Sequence, residues 1–314
     1  MRIEALVVTH NSAGHIVACV DSLWANGAVP IVVDTGSTDS TSQLVAECSP
    51  NVKLILAGRN VGYGRALNLG FRHTLGNCVL LSNSDVVYLP SSIRRMEEFL
   101  EQNPDVGLVG PQQLFPDGSW QWSYGDLPGI WSGVKDAVGV TTLRHAFRYW
   151  LWPRRIDRRP RDVPYVGGAV LLVRRKAFEA IGGFDETFFP GGDECDLCAR
   201  MQKLGWRTVF YPQAEVVHIR GGDFTHIPAS EQLRSMVDSQ IRLARKYLPG
   251  WQANLYFWLE QMQFQRLSFT YKALRALLPH GLTALIHKKA ASARDLADVW
   301  RDKRENRVGV RSLR

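Results

Sequence analysis

The 314-residue sequence has no run of about 18 apolar residues, the length that a membrane-spanning helix needs. Its most apolar stretches, 163–173 and 276–286, are short and interrupted by Gly or Pro. No secretion signal is recognisable at its start, where Met1 to Glu4 lead directly into a β-like run. Only five cysteines are present, an odd number and mostly scattered. We therefore expect a cytoplasmic protein with free thiols that does not cross the membrane.

Two nucleotide-binding signatures are also missing. No GxGxxG segment follows the first predicted strand, and GxxxxGK[ST] occurs nowhere in the chain. Their absence argues against dinucleotide oxidoreductases and P-loop enzymes. Cys195 and Cys198 have the spacing of half a zinc site, but no second pair accompanies them, so two free cysteines on a helix are expected. The 45% hydrophobic content supplies a core and excludes a disordered chain.

Positive charge is scarce over most of the chain, although the formal net charge is +8. Residues 1–143 carry a net charge of −5, and residues 163–230 carry −1. The excess lies in two segments, 144–162 with +5 and 231–314 with +9, and both contain many aromatic residues. This distribution argues against a uniformly basic nucleic-acid-binding protein, so no nucleic-acid partner is expected.

Short β-branched runs alternate with helix-like stretches over the first hundred residues. The predicted strands are 6–8, 31–33, 52–56 and 78–81, and the predicted helices are 12–24, 37–48, 64–75 and 90–102. Later segments predict strands at 107–109, 170–173, 208–211 and 214–217, and helices at 176–181, 196–204 and from 231 onward. Strands that alternate with helices of this length indicate βαβ units and a mostly parallel sheet with flanking helices.

Polar residues follow the predicted strands. Thr9 and Asn11 follow the first strand, Asp34 and Asp39 the second, and Asn83 and Asp85 the fourth. Because the carboxyl ends of parallel strands meet at one edge of a sheet, three such loops predict a ligand-binding crevice there. Taken alone, Asp39 is better explained as a helix cap. Asp85 is either a salt-bridged or capping residue or a ligand of a divalent cation that holds a diphosphate.

Three carboxylates lie within four residues, at Asp193, Glu194 and Asp196, after a pair of glycines. Crowded carboxylates raise one another's pKa, which suits a general base near neutral pH. The plainer interpretation is an acidic first turn of a helix. His218 follows a late strand and precedes a flexible Gly pair, where it is either structural or an imidazole ligand of a metal.

Taken together, the segments over about residues 3–222 closely resemble glycosyltransferase family 2, the inverting enzymes of GT-A fold, and especially their bacterial rhamnosyltransferase-like branch. The matching motifs occur in the family's order, at 7–12, 32–39, 60–70, 81–86, 103–107, 182–186 and 193–198. The resemblance implies an α/β fold of the GT-A (nucleotide-diphospho-sugar transferase) type, with a mostly parallel twisted sheet and a C-terminal helical extension.

The resemblance also implies roles for single residues. The sugar donor's nucleotide would be bound by Thr9, Asn11, Asp34, Asp39, Asn60, Gly62, Arg65, Asn68 and Asn83. Asp85 and His218 would bind Mg²⁺ or Mn²⁺. Glu194, beside Asp193, would be the catalytic base.

Two positions depart from the family pattern. Asn83 replaces the first acid of the metal motif, and the usual Glu-Asp pair is reversed to Asp193-Glu194, so which acid is the base is open. The expected reaction is transfer of a sugar such as rhamnose from a nucleotide-diphosphate donor to a glycan or lipid-linked acceptor in bacterial surface polysaccharide synthesis. The alternative is a catalytically weak nucleotide-sugar-binding or scaffold subunit.

The two basic segments predict how the chain is organised. We expect a catalytic domain over 1–230, with a basic aromatic insert at 144–162, and a basic amphipathic helical extension over 231–314. Such segments are typical of proteins that lie on an anionic membrane, here the inner face of the plasma membrane. For the extension, a solvated basic face or a homo-oligomer through the C-terminal helices is an equally open interpretation.

Overall fold

The computed structural model describes residues 3–48, 51–140, 143, 159–188, 191–219, 229–277 and 294–301. Most of the predicted insert (144–158), the Gly pair after His218, and residues 278–293 and 302–314 of the extension lie outside these ranges. The chain divides into two compact units, Met1–Leu127 with Trp152–His226, and Pro128–Leu151 with Ile227–Arg314. The predicted boundary between a catalytic domain and an extension at residue 230 stays a prediction.

The strands of the first unit are β1 (Glu4–Thr9), β2 (Val29–Asp34), β3 (Lys53–Leu56), β4 (Cys78–Asn83), β5 (Val86–Tyr88), β6 (Val106–Leu114), β7 (Trp120–Gln121), β8 (Tyr124–Gly125), β9 (Arg161–Asp162), β10 (Tyr165–Val166), β11 (Val170–Arg174) and β12 (Arg207–His218). Its helices are α1 (Ile16–Ala25), α2 (Thr41–Cys48), α3 (Tyr63–Phe71), α4 (Ser92–Gln102), α6 (Arg175–Ala180) and α7 (Asp193–Lys203). The second unit contains α5 (Ile130–Ala137), α8 (Ala229–Tyr247), α9 (Gly250–Leu277) and a helical segment at 294–301.

The main sheet of the first unit has the strand order β3-β2-β1-β4-β11-β6-β12-β5. Strands β1 to β4 are mutually parallel, and β6 and β12 run in the same direction, because β11 pairs antiparallel with both β4 and β6. Only β11 and β5 on this path run the other way. The prediction of a mostly parallel sheet is therefore confirmed, and the carboxyl ends of six strands meet at one edge.

Apolar side chains pack on both faces of this sheet. One buried cluster joins Val7, Val32 and Leu80 to helices α1 and α4, and the other joins Leu6, Val33 and Leu81 to α3, α6 and α7. Consecutive strand residues alternate between the two clusters, as expected for a sheet covered by helices on both sides. This burial fixes the strands and thereby the loops at their carboxyl ends.

Several predicted elements differ from the structure, among them the helix predicted at 64–75, which ends at Phe71. The strands predicted at 208–211 and 214–217 form one strand, β12, whose register against β6 shifts between Tyr211 and Glu215. Pro212 lies within this irregularity, where a missing amide hydrogen is tolerated. The helix predicted from residue 196 begins earlier, at Asp193.

The second unit has its own apolar cluster, in which Val237, Ile241 and Ala244 of α8 contact residues of α9 and Trp300. These three positions confirm the helical period predicted for the start of the extension. Helix α5 also packs against α9, since Arg266 donates a hydrogen bond to the Asp136 carbonyl oxygen at 3.3 Å. Among the described residues, no helix is long and apolar enough to cross a bilayer.

Candidate active site

The loops that follow β1 and β2 are joined by hydrogen bonds. Thr9 pairs with Asp34 at the ends of the two strands, and the Thr35 amide donates to the Thr9 carbonyl oxygen at 2.9 Å. Asn11 has a positive φ of 49°, an angle that Asn adopts more readily than most residues. In this conformation its side-chain oxygen accepts the Thr38 amide hydrogen at 2.7 Å. The predicted convergence of these two loops is present.

The carboxylates of this loop pair have different surroundings. Asp34 is buried and accepts hydrogen bonds from the Ser37 amide, at 2.7 Å, and from the Ser42 hydroxyl. Asp39 is exposed and accepts the Thr41 amide at 3.0 Å, at the start of α2. Slight burial raises the pKa of Asp39, but hydrogen bonds from Thr41 outweigh it, so the pKa lies below its ordinary value. Asp39 therefore serves as a cap, and its contact with a nucleotide stays a prediction.

The segment from Asn60 to Asn68 lies beside this loop pair. The Ala57 amide donates to the Asp34 carbonyl oxygen at 2.8 Å, and the Asn60 side chain accepts the Gly62 amide just before α3. Asn68 and Arg65, further along α3, bind the loop after α6.

Asn68 donates to the Phe184 carbonyl oxygen at 2.9 Å and accepts the Phe184 amide, also at 2.9 Å. Arg65 forms a half-exposed ion pair with Glu186 at 2.8 Å. These contacts hold the 183–188 loop, and nucleotide binding by Arg65 and Asn68 stays a prediction.

Asp85 and His218 are brought together from positions far apart in the sequence of the first unit. Asp85 follows β4, His218 ends β12, and the distance from His218 Nε2 to Asp85 Oδ1 is 3.4 Å. Both side chains are about nine-tenths buried. Asn83 ends β4 beside Val8 of β1, and the neighbouring Ser84 hydroxyl donates to Ser12 Oγ at 2.8 Å. The metal-ligand candidates thus lie next to the loops that follow β1 and β2.

A carboxylate and an imidazole facing each other suit a divalent cation such as Mn²⁺. Among the described residues, no cluster of three or more His, Cys, Asp or Glu side chains could hold a metal. Two protein ligands are nevertheless compatible with an ion whose other ligands are water and substrate phosphates. The donor set at Asp85 and His218 therefore fits a cation that binds together with a diphosphate.

Sequence reasoning missed two glutamines that contact His218. The Nδ1 atom of His218 lies 2.7 Å from Gln121 Oε1 and 3.2 Å from Gln113 Oε1. Gln121 lies in the short strand β7, and Gln113 lies near the end of β6. Nothing in the spacing of these residues relates them to a histidine about a hundred positions later, so only the sheet pairing reveals the contact.

The acidic pair begins α7. Asp193 is 6% exposed, and burial first, then the Glu194 charge and its hydrogen bond, raise the pKa of Asp193 well above the ordinary value. Burial and the neighbouring charge thus favour the protonated form of Asp193, which can donate a hydrogen bond to Glu194.

Glu194 is less buried than Asp193, and each of the two acids lies close to a glycine of another element. A Cβ atom at Gly168 would lie 3.3 Å from Glu194 Cβ, and one at Gly64 would lie 3.5 Å from Asp193 Oδ2. The two acids thus sit between α3 and the segment before β11, and glycine leaves room for them there.

The third acid of this turn, Asp196, is paired with an arginine. Asp196 is fully buried and pairs with Arg200 at 2.7 Å, and Arg200 also donates to the carbonyl oxygens of Ile181 and Gly183. Burial raises the pKa of the Cys195 thiol, and it raises that of Cys198 to about 12, so both remain protonated. Of the acids in this turn, Asp193 and Glu194 thus remain the candidates for proton transfer.

Comparisons with known proteins agree with this geometry. The family model described as "Glycosyl transferase family 2" matches residues 5–182, and one described as "N-terminal domain of galactosyltransferase" matches residues 157–227. The N-acetylglucosaminyl-diphospho-decaprenol L-rhamnosyltransferase of Mycobacterium tuberculosis is 32% identical over 268 residues, 81% of this chain and 87% of that relative. The dTDP-rhamnosyl transferase RfbF of Shigella flexneri is 23% identical over 227 residues, 70% of each chain.

Solved structures share the fold. A mannosyltransferase from Pyrobaculum calidifontis, in complex with GDP-Man and Mn²⁺, has a TM-score of 0.57 at 19% identity, and the match covers 95% of this chain and 84% of that one. GalNAc-T7 with UDP, GalNAc and Mn²⁺ has a TM-score of 0.59 at 13% identity, over 94% of this chain and 54% of that one.

The sheet order, the crevice and these likenesses define a glycosyltransferase with the GT-A fold. The family match covers more than half of the chain, and the mycobacterial relative matches most of it. The chain belongs to glycosyl transferase family 2. The expected fold class and enzyme class are thereby confirmed, and the roles of single residues stay predictions.

Proposed function

We propose that the protein transfers L-rhamnose from a nucleotide-diphosphate donor, with inversion, to a lipid-linked diphospho-glycan acceptor in bacterial surface polysaccharide synthesis. The observation that carries the chemistry is the pairing of a buried Asp193, whose pKa is raised, with a more exposed Glu194 at the start of α7. The names of the mycobacterial and Shigella relatives support the choice of sugar, and the mycobacterial name supports the acceptor class.

The reaction is a single displacement. An acceptor hydroxyl attacks the anomeric carbon of the sugar, Glu194 takes the hydroxyl proton, and the bond between the anomeric carbon and the diphosphate oxygen breaks. Asp193 keeps its own proton and orients Glu194 through their hydrogen bond. One new bond to oxygen forms on the face opposite the leaving group, which inverts the configuration.

The leaving diphosphate is assigned to Asp85 and His218. Asp85 and His218 would hold Mg²⁺ or Mn²⁺, which as a Lewis acid stabilises the charge that develops on the diphosphate. Thr9, Asn11 and Asp34 would bind the nucleotide where the first two loops meet. The Thr9 hydroxyl supports this, since it is buried and has no hydrogen-bond partner among the described residues.

Product analysis tests the proposal. We expect dTDP-L-rhamnose with a synthetic N-acetylglucosaminyl-diphospho-polyprenol to give a rhamnosylated lipid, and chelation of divalent metal to stop the reaction. GDP-mannose and UDP-N-acetylglucosamine are the control donors. Nuclear magnetic resonance of the product reports the anomeric configuration. Retention of the donor's configuration, or faster transfer from a control donor, would contradict the proposed reaction.

The proposed location is the surface of an anionic membrane. Helix α9 exposes four large apolar side chains, Trp251 (65% exposed), Trp258 (47%), Met262 (39%) and Phe269 (74%), which we call the α9 stripe. Their spacings of seven, four and seven residues place them on one helix face. The one acidic residue of α9, Glu260, is buried, so this face presents no carboxylate. An aromatic face without acids, in a segment of net positive charge, suits an anionic bilayer interface.

A further inference from the structure

The ring of His218 is oriented by two side-chain amides. Its Nδ1 atom faces Gln121 Oε1 at 2.7 Å and Gln113 Oε1 at 3.2 Å. Both facing atoms are amide oxygens, which accept hydrogen bonds and cannot donate them. A hydrogen bond to either oxygen therefore requires a proton on Nδ1.

The orientation of both amides is fixed from their other end. The Gln121 Nε2 group donates to the carbonyl oxygen of His218 itself at 3.2 Å, and the Gln113 Nε2 group donates to the Gly167 carbonyl oxygen at 3.3 Å. Rotating either amide by half a turn would place its oxygen beside a carbonyl oxygen and lose the hydrogen bond to that carbonyl. The two oxygens thus stay directed at the histidine ring.

The glutamines belong to a buried polar network. Gln113 and Gln121 are 3% and 1% exposed. Gln112 donates to the Gln121 carbonyl oxygen at 3.1 Å, and the Ser123 hydroxyl donates to the same oxygen at 2.9 Å. The Trp120 indole in turn donates to the Gln112 side chain. A network with its members satisfied in this way holds its side chains in one arrangement.

We propose that Gln121, assisted by Gln113, is a positioning residue that holds His218 as the Nδ1–H tautomer, so that the Nε2 lone pair faces Asp85 as a metal ligand. We name these two glutamines the amide clamp. In a neutral ring with its proton on Nδ1, Nε2 is the free coordinating atom, and it lies 3.4 Å from Asp85 Oδ1. A partner that accepts the other ring N–H is the usual support of a metal-binding histidine. The proposal rests on the metal-assisted reaction proposed above.

The amide clamp is also connected to the acidic pair through neighbouring residues. Gln113 binds the Gly167 carbonyl oxygen, and the adjacent Gly168 lies against Glu194. Gln113 therefore connects the loop beside the proposed base with the histidine of the proposed metal site. Replacing Gln121 is expected to affect the histidine first, because its amide contacts His218 at both ends.

The first test is made on the protein without metal. Nuclear magnetic resonance of ¹⁵N-histidine-labelled protein distinguishes the two tautomers, and His218→Gln assigns the signal. We expect the Nδ1–H tautomer in the wild type and in Gln121→Glu, which keeps an oxygen acceptor, and a mixture in Gln121→Met. A wild-type ring with its proton on Nε2 would overturn the proposal, even if Gln121→Met fails to fold.

The second test measures Mn²⁺ binding by electron paramagnetic resonance, without turnover. We expect Gln121→Met to weaken Mn²⁺ binding about 10- to 100-fold and Gln121→Glu to retain it. Gln202→Met is the matched control, because Gln202 also donates to backbone carbonyl oxygens, those of Val163 and Pro164, but does not contact His218. Wild-type affinity in Gln121→Met would refute the clamp.

The two measurements also separate the clamp from the proposed function. The Nδ1–H tautomer in a protein that binds no Mn²⁺ would refute the metal-assisted reaction and the purpose of the clamp, but not its geometry. Mn²⁺ binding that is insensitive to Gln121→Met would refute the clamp and leave the proposed reaction standing.

Discussion

At the scale of single residues, the two acids at the start of α7 differ in what surrounds their carboxyl groups. Asp193 is almost fully buried and has a raised pKa, and Glu194 accepts its hydrogen bond and is more accessible. A general base must be ionised and within reach of the acceptor hydroxyl. The geometry therefore favours Glu194 as the base and gives Asp193 a supporting role.

Glu194→Gln tests this assignment. We expect sugar transfer to fall by about 10²- to 10⁴-fold, the usual contribution of a general base, because an amide cannot take the hydroxyl proton. Nucleoside-diphosphate binding, measured by calorimetry, should stay unchanged. Glu179→Gln is the control, since Glu179 lies on α6 in an exposed pair with Arg175. Near-normal turnover in Glu194→Gln would remove Glu194 from the base role.

Asp193→Asn tests the protonation of the buried partner. Because the folded state binds this proton more tightly than the unfolded state, stability falls as the pH rises above the ordinary value near 3.8, until the raised pKa is passed. Asn does not titrate, so the melting temperature of the variant minus that of the wild type should increase with pH. Thermal unfolding from pH 4 upward measures this difference. A difference that is constant with pH would contradict a protonated Asp193.

At the scale of elements, the buried pair of Asp196 and Arg200 joins α7 to the turn after α6. Arg200 neutralises a fully buried carboxylate and binds the carbonyl oxygens of Ile181 and Gly183. This turn leads to Phe184, which Asn68 of α3 holds by its backbone. The pair therefore helps to set where the acidic turn lies relative to α3.

Arg200→Met should destabilise the protein by about 3–5 kcal/mol, because it leaves the Asp196 carboxylate buried without its partner. Urea unfolding measures the loss. Arg94→Met breaks the exposed pair with Glu98 on α4 and should cost much less, because water screens this pair. Equal losses in the two variants would mean that the Asp196–Arg200 pair contributes no more than a surface ion pair.

The sequence predicts elements better than it predicts contacts between them. The alternation of apolar runs with capped helices predicts β1 to β4 and the helices that follow them. Each of these elements is indicated by residues that lie within a few positions of one another. That β12 is one strand could not be predicted from the sequence, because Pro212 interrupts the strand pattern. Only the pairing with β6 shows that the strand continues past Pro212. Asp85 and His218 were expected as ligands from a family likeness. The amides that orient His218 carry no local signal, because glutamine occurs in many surroundings.

At the scale of the whole molecule, the two compact units differ in which residues they bury and expose. The first unit contains all the candidate site residues and has a covered sheet. The second unit has a small cluster around Tyr256 and Trp300, and the α9 stripe is exposed. A soluble monomer seldom exposes so many large apolar side chains on one helix face. We therefore expect this face to contact a partner. The net charge of +9 over residues 231–314 makes an anionic bilayer the proposed one.

Vesicle sedimentation tests this partner. We expect the protein to bind vesicles containing phosphatidylglycerol more tightly than vesicles of phosphatidylcholine alone, and added salt to weaken the binding by screening. Replacing Trp251 and Trp258 with Ser should lower the partition coefficient by about tenfold or more, because two aromatic side chains no longer leave water. Leu75→Ser is the control, since Leu75 is 85% exposed but lies in the first unit. If the stripe instead joined two copies of the chain, light scattering would show that the double variant is monomeric while its vesicle binding is unchanged, and the stripe would then be a dimer interface.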